Sequence, residues 1–172
     1  MSRDDAPRDG LLGLTYRQLI ALIALVNAFV ATYLHLWKIG KAGTLACGGS
    51  GGCALVQFSR WSWVRLPWQD PASLGIDVAL IGAIGYTLVL VTALWGTRES
   101  LADARGPAIT LAALVVPAIL FTIRLKYAEW VVLRTFCPWC FISTVSITLL
   151  GVIVALELRR VRRLARARAA ID

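Results

Sequence analysis

The stretch at 135–156 reads TFCPWCFISTVSITLLGVIVAL: two cysteines in CxxC spacing open an apolar run that holds no charged residue. At about 1.5 Å per helical residue, such a run crosses a hydrocarbon core of roughly 30 Å. A dithiol at the mouth of a membrane span is an unusual placement, because CxxC ordinarily marks a redox pair or half of a zinc site. Reading the run as a transmembrane helix decides the rest, since windows 19–37, 74–95 and 107–123 share its character. Only Asp77 is charged within these four windows, and it lies near the start of its own, where a carboxylate still reaches the interface.

Composition agrees. Of 172 residues, 58% are hydrophobic, and the mean hydropathy is +0.70, far above that of a soluble domain. The first window lacks a small-residue cleavage pattern close behind it, so it reads as a retained helix. The expectation is an all-α integral membrane protein: a four-transmembrane-helix bundle with a short amphipathic helix in the first outer loop.

Charge sets the orientation. The net charge of +8 is concentrated in six arginines between Arg159 and Arg168, directly after the last window. Lys and Arg close to a span hold their side in the cytoplasm, so this tail acts as a stop-transfer signal and nucleic acid is not an expected partner. Four crossings then put both termini in the cytoplasm and the active site on the outer face of the inner membrane. The chain divides into an N-terminal cytoplasmic segment 1–18, a transmembrane domain 19–158 with its outer loop at 38–73, and a basic tail 159–172. Within that loop ALVQFSRWSWVRLPW, residues 54–68, interleaves Trp61, Trp63 and Trp68 with Arg60 and Arg65. Tryptophan favours the headgroup zone, so the segment reads as an amphipathic surface helix or an ordinary aromatic belt.

All four cysteines then share the outer side, where disulfides form and persist. Pro138 suits a first helical position, which makes Cys137 the cap residue, and a thiol at a helix N-terminus has its thiolate favoured by the helix dipole. Cys140 lies one turn deeper on the same face. Cys47 and Cys53 bracket GGSGG, a loop that can close a disulfide yet has almost no preferred shape when open. Mobility of these sulfurs suits thiol–disulfide exchange with a soluble partner. Two readings compete. Four cysteines can hold a structural zinc, although a glycine loop and an apolar wall fix tetrahedral geometry poorly; alternatively both pairs are inert disulfides in a non-catalytic membrane protein.

Cys47, Cys53 and Ser59 spaced six and six apart, Leu74-Gly-Ile-Asp at the start of the second helix, and CPWC followed by Ser143 together resemble the vitamin K epoxide reductase family in its bacterial form. The resemblance runs from Leu19 to Leu156, and its order, a wide pair in the first outer loop and CxxC opening the last helix, separates it from the quinone-linked oxidases that carry CxxC first. It implies a membrane thiol:quinone oxidoreductase supporting disulfide formation, with a quinone of ubiquinone or menaquinone type as cofactor and no metal. Cys47 would exchange with a separate extracytoplasmic thioredoxin-like partner, Cys53 would pass electrons to Cys137, and Cys140 would face the quinone. Ser59 would place a hydroxyl near the reacting groups; its other reading is a helix cap. Reduction of vitamin K quinone or epoxide would use the same cysteines.

Two departures stand out. Asp77 occupies a position where the family often has proline, so it is expected to act as a cap, and nothing after Leu156 could form a fused thioredoxin-like domain. The aromatic candidates for quinone contact are Phe121, Phe136, Trp139 and Phe141. Glu129 and Arg134 read as an interfacial ion pair, Asn27 as an interhelical hydrogen bond, and His35 as a candidate proton-handling group.

Overall fold

The computed structural model describes residues 10–11, 14–45, 47, 51–70 and 75–170. Short strands β1 (Gly10–Leu11) and β2 (Leu14–Thr15) lead into α1 (Tyr16–Lys38). Helix α1 starts where a capping box forms: the Thr15 hydroxyl accepts from the Gln18 amide, and the Gln18 side chain accepts from the Thr15 amide. There follow α2 (Gly52–Gln57), a 3-10 turn at Arg60–Ser62, strands β3 (Trp63–Val64) and β4 (Ile76–Asp77), and α3 (Val78–Gly96). A second 3-10 turn at Glu99–Leu101 leads to α4 (Arg105–Tyr127), a π turn at Ala128–Val132, and α5 (Pro138–Ala169). Four of these helical segments are long and apolar enough to cross a membrane, in the regions expected.

The helices form an antiparallel bundle, with α1 along α3, α4 along α5, and the α3–α4 and α1–α5 contacts closing the ring. On α1 the buried residues Ile20, Ala24, Asn27, Ala31, Leu34 and Lys38 recur every three or four positions, while Leu22, Val26 and Phe29 face outward. Exposed leucines, valines and isoleucines on all four spans are what a lipid-facing surface requires. Small and branched residues, among them Ala24, Ala93, Leu111, Val115, Leu150 and Val154, fill the half of the bundle away from CPWC. In the CPWC half the core gives way to a cavity.

The loop between α1 and α3 does contain a short helix, α2, but it covers only the start of 54–68. Helix α2 ends at Gln57, whose carbonyl accepts from the Ser62 hydroxyl, and Trp63 and Val64 are taken by an antiparallel ladder to Asp77 and Ile76. That ladder requires glycine at position 75, where φ is +91° and a Cβ would lie 2.6 Å from the Val64 carbonyl oxygen. Asp77 caps α3 as expected, accepting the Ala79 amide at 3.1 Å. It also anchors α1, because Lys38 Nζ donates to the same oxygen, Oδ1, at 2.6 Å and His35 Nδ1 lies 2.8 Å from the second, Oδ2. Lys38 further donates to Ser62 Oγ at 3.0 Å and sits 4.0 Å over the Trp63 ring. One buried carboxylate thereby ties two spans and the loop together.

At the opposite end Arg17, 3% exposed, donates to Glu157 Oε1 at 2.6 Å, to Leu101 O at 2.7 Å, to Ala104 O at 3.0 Å, and to the Gly96 carbonyl. This guanidinium satisfies the last carbonyl of α3 and gathers α1, α5 and the α3–α4 connection. The arginine-rich segment simply continues α5 as helix. Replacing Arg17 with Met leaves Glu157, 1% exposed, with Arg160 at 3.5 Å as its remaining cation among the described residues. A loss of about 3 kcal/mol is expected, since breaking a buried pair costs on that order; SDS unfolding of the reconstituted protein measures it, with Arg17→Lys losing less.

Candidate functional site

The CPWC helix begins as its sequence dictates. Cys137 is the N-cap of α5 with extended φ and ψ, Pro138 follows at the first helical position, and the Phe141 amide closes the first turn on the Cys137 carbonyl at 3.0 Å. The Cys137 amide, which the helix leaves without a partner, donates to Glu129 Oε1 at 2.8 Å. Glu129 can reach it because the backbone widens there: Leu133 donates to the Ala128 carbonyl five residues back, a π turn. Within that turn Glu129 is buried while Trp130, Val131 and Val132 face out. Its second oxygen takes Lys126 Nζ at 2.8 Å, so the cation on Glu129 is Lys126, one turn back, in place of the expected Arg134.

The cysteine pair of the loop between α1 and α3 docks on the same point. Cys47 and Cys53 are joined as a disulfide with Cα atoms 5.9 Å apart, whereas Cys137 and Cys140 are both thiols. Gly52, the first residue of α2, lies so close to the CPWC approach that a Cβ on it would stand 2.5 Å from the Phe136 carbonyl oxygen and 2.8 Å from Thr135 Oγ1. Glycine is required there because any side chain would push α2 away. Cys53 and Cys137 are both fully buried at this junction. One helical turn on, Gln57 Nε2 points at Cys140 Sγ across 3.8 Å. The wide pair and CxxC, 84 residues apart at Cys53 and Cys137, thus meet at one end of the bundle.

The thiol of Cys137 is lowered to about 7. The Cys140 thiol, donating a hydrogen bond to it, is the largest cause; burial opposes, and the amides of Cys140 and Trp139 at the helix N-terminus add to the lowering. Nearby Glu129 pushes the other way, a repulsion that its Lys126 partner offsets. Loss of the Cys137 proton is thereby favoured, with Cys140 as the donor to its sulfur.

Beyond Cys140 a cavity of about 490 Å³ extends into the bundle between α1, α3, α4 and α5. Its walls are mainly apolar, with Val30, Leu34, Ile81, Pro117 and Ala118 among them, and its polar groups include Gln57, Ser59, Asn27, Lys126 and Glu129. Such a volume and lining suit a flat organic ring with few polar atoms. Ser59 faces the cavity, but its hydroxyl donates to the Val56 carbonyl at 2.8 Å and makes no capping bond. Phe121 and Trp139 line the wall. Phe136 and Phe141 do not: they are half-exposed and rest on each other outside it, ring centroids 5.8 Å apart. Phe141, one residue after Cys140, is turned by α5 away from the side that Cys140 faces, and Phe136 lies in the non-helical approach before the N-cap. Asn27 bonds within its own helix, Nδ2 to the Ile23 carbonyl at 2.9 Å, instead of across to another.

Three residues escaped the sequence reading. Gln57 follows Cys53 by four positions, a helical spacing that sets it on the face of that cysteine. Tyr86 meets Ser143, the serine that follows CPWC, hydroxyl to hydroxyl at 3.2 Å, and both line the cavity; Tyr86 itself carries no local signal. Lys126 was hidden because i, i+3 pairing with Glu129 looks like any interfacial ion pair.

A disulfide and a dithiol packed together beside an apolar cavity, at one end of four membrane-spanning helices, are the parts of a membrane redox protein. The model of the Vitamin K epoxide reductase family matches residues 18–155. The chain belongs to that family and is a multi-pass membrane oxidoreductase.

Because the Cys140 hydrogen bond dominates the acidity of Cys137, Cys140→Ala is expected to move the Cys137 titration from about 7 toward the ordinary thiol value of about 8.5. Ultraviolet thiolate absorbance against a Cys137→Ser control reads it: the signal rises with pH through the midpoint and is lost below it. Glu129→Gln, which keeps an oxygen for the Cys137 amide but removes the charge, moves the midpoint down.

Proposed function

We propose that this protein is a thiol:quinone oxidoreductase that carries electrons from a separate thioredoxin-like dithiol partner to a membrane quinone, and so supports disulfide formation outside the cytoplasm. The observation that carries the reading is the seating of Gly52 against the Phe136 carbonyl, which puts the first turn of α2, with Cys53, on the N-terminus of α5, with Cys137. Orientation follows from the arginines at 159–168: both termini are cytoplasmic and the cysteine end is outward.

The steps follow from the sulfurs. A partner thiolate attacks Cys47, the Cys47–Cys53 bond breaks, and the partner leaves as a disulfide, so two electrons now reside on the Cys47 and Cys53 thiols. The Cys53 thiolate then attacks Cys137 of a Cys137–Cys140 disulfide, releasing Cys140; Cys47 resolves the mixed bond by attacking Cys53 and releasing Cys137. Cys137 is a good leaving group because its thiolate is stabilised by the Cys140 hydrogen bond and the helix N-terminus. The result, an outer disulfide beside an inner dithiol, is the pattern of bonds in this structure. Reforming the Cys137–Cys140 disulfide surrenders two electrons and two protons. A quinone, when bound, supplies the two-electron acceptor that takes them.

Cys140 faces the cavity in which Trp139 and Phe121 would hold the ring, and Ser59, with its proton engaged by Val56, offers a lone pair as hydrogen-bond acceptor. Gln57 keeps an amide N–H on the Cys140 sulfur as that thiol gives up its proton. The cavity walls exclude water from a sulfur that would otherwise be open to side reactions. Reduction of vitamin K quinone or its epoxide would use the same dithiol and cavity.

In membranes, the Cys140→Ala protein is expected to accumulate a Cys53–Cys137 disulfide by the reverse of the relay step: the Cys137 thiolate attacks Cys53 of the Cys47–Cys53 bond and releases Cys47, and the Cys140 thiol that would carry this reverse step on by attacking Cys137 is absent. Thiol trapping and non-reducing peptide mapping detect it. A Cys137 that stays a free thiol while Cys47 remains bonded to Cys53 would separate the two pairs and end the relay reading. Gly52→Val is expected to lower turnover with the protein partner at least tenfold, while reduction of a quinone by chemically reduced Cys137 and Cys140 is retained.

A further inference from the structure

The arginine–tryptophan segment of the loop takes no part in electron transfer, yet it builds a groove of its own. Phe58, Arg60, Trp61, Trp63 and Arg65 face Arg124 of α4 across it. All three arginines are exposed, and among the described residues none forms an ion pair with a carboxylate. Arg124 is steadied by aromatic faces instead, its guanidinium 5.1 Å from the Trp61 ring centroid and 5.8 Å from that of Phe121. Stacking leaves the N–H edge of a guanidinium free for an anion. Three cations gathered without a counter-charge repel one another, so the groove as built favours a negative occupant.

Its depth selects the occupant. Arg124 follows directly on the apolar window 107–123 within the helical segment Arg105–Val132, so the groove lies at the end of that span, at the level of the membrane interface. Trp61 and Trp63 in its walls favour the headgroup zone. An anion available at that depth is the phosphodiester of a phospholipid, whose two free oxygens match the forked donors of arginine. A zwitterionic headgroup would bring its own ammonium toward the same cations; an anionic lipid brings none.

We propose that this groove is a binding site for the phosphodiester of an anionic phospholipid, held by Arg60, Arg65 and Arg124. Trp61 lines both the groove and the cavity, so the lipid sits at the cavity rim. The site is independent of the redox reading.

Native mass spectrometry of the purified protein titrated with phosphatidylglycerol or phosphatidylcholine tests it. Wild type is expected to retain phosphatidylglycerol in preference, Arg60→Gln/Arg124→Gln to bind it on the order of tenfold less with phosphatidylcholine unchanged, and millimolar inorganic phosphate to leave it in place. Equal retention of the two lipids by wild type overturns the proposal, as does undiminished phosphatidylglycerol binding in the double variant. Displacement by inorganic phosphate would assign the groove to a free anion. Undiminished lipid binding with slowed oxidation of a dithiol partner would assign it to an acidic protein surface. Should the double variant lose its helical circular dichroism, Arg65→Gln alone decides: a several-fold loss supports the site, and an unchanged affinity overturns it.

Discussion

The bond from the Cys137 amide to the Glu129 carboxylate, 2.8 Å long and buried, is the constraint on which the reactive end of this protein depends. A helix that starts inside an apolar bundle has amides with nowhere to go, and without an acceptor they would pull its first residue toward water. Glu129 supplies the acceptor, but a lone carboxylate there would be costly and would oppose a thiolate. Lys126 offsets both effects. The π turn at Ala128–Val132 is what points Glu129 inward while its neighbours meet the surroundings. Cys137 is thereby fixed as N-cap, Cys140 follows one turn deeper, and α2 finds a backbone surface at Phe136 on which only glycine fits.

Polar groups at the two ends of the bundle divide the remaining work. Asp77 collects Lys38, His35 and the α3 N-terminus at the cysteine end, and Arg17 collects Glu157 and three carbonyls at the other. Each uses one buried charge to satisfy several groups that lipid could not. Between them the half near Arg17 is closed by alanines and leucines, which leaves the open half, and hence the cavity, beside Cys140. Stability and reactivity are therefore assigned to different depths of the same four helices.

The spans were legible because twenty-odd uncharged apolar residues have few other fates, and the cap role of Cys137 because Pro138 has few other places. Asp77 was legible as a cap for the same kind of local reason. The loop was not. Its 54–68 segment has the composition of a surface helix, but a ladder to residues twelve or more positions away, Trp63 to Asp77, claims its second half, and nothing local announces that pairing. Among the aromatics, Trp139 and Phe141 differ only by their angle on α5, which depends on where that helix begins and which face meets α1; Tyr33 packs against Trp139 at 6.0 Å and sets it. Gln57 reaches Cys140 only through the tertiary placement of α2 on α5, so that partner could not be read in advance, while the local Lys126–Glu129 pair gives no sign in the sequence that it sits beside Cys137.

The central claim is that Cys137 and Cys140 are the pair that reduces the membrane acceptor. Its most direct test is a single turnover in nanodiscs: the fully reduced protein is mixed with one equivalent of a menaquinone analogue, quenched in acid over time, and mapped for disulfides while quinone absorbance is followed. The account predicts that the quinone is reduced and that a Cys137–Cys140 disulfide forms first, with Cys47–Cys53 appearing only afterwards. Quinone reduction with Cys47–Cys53 formed first and Cys137 and Cys140 still free, or no quinone reduction at all, would contradict it.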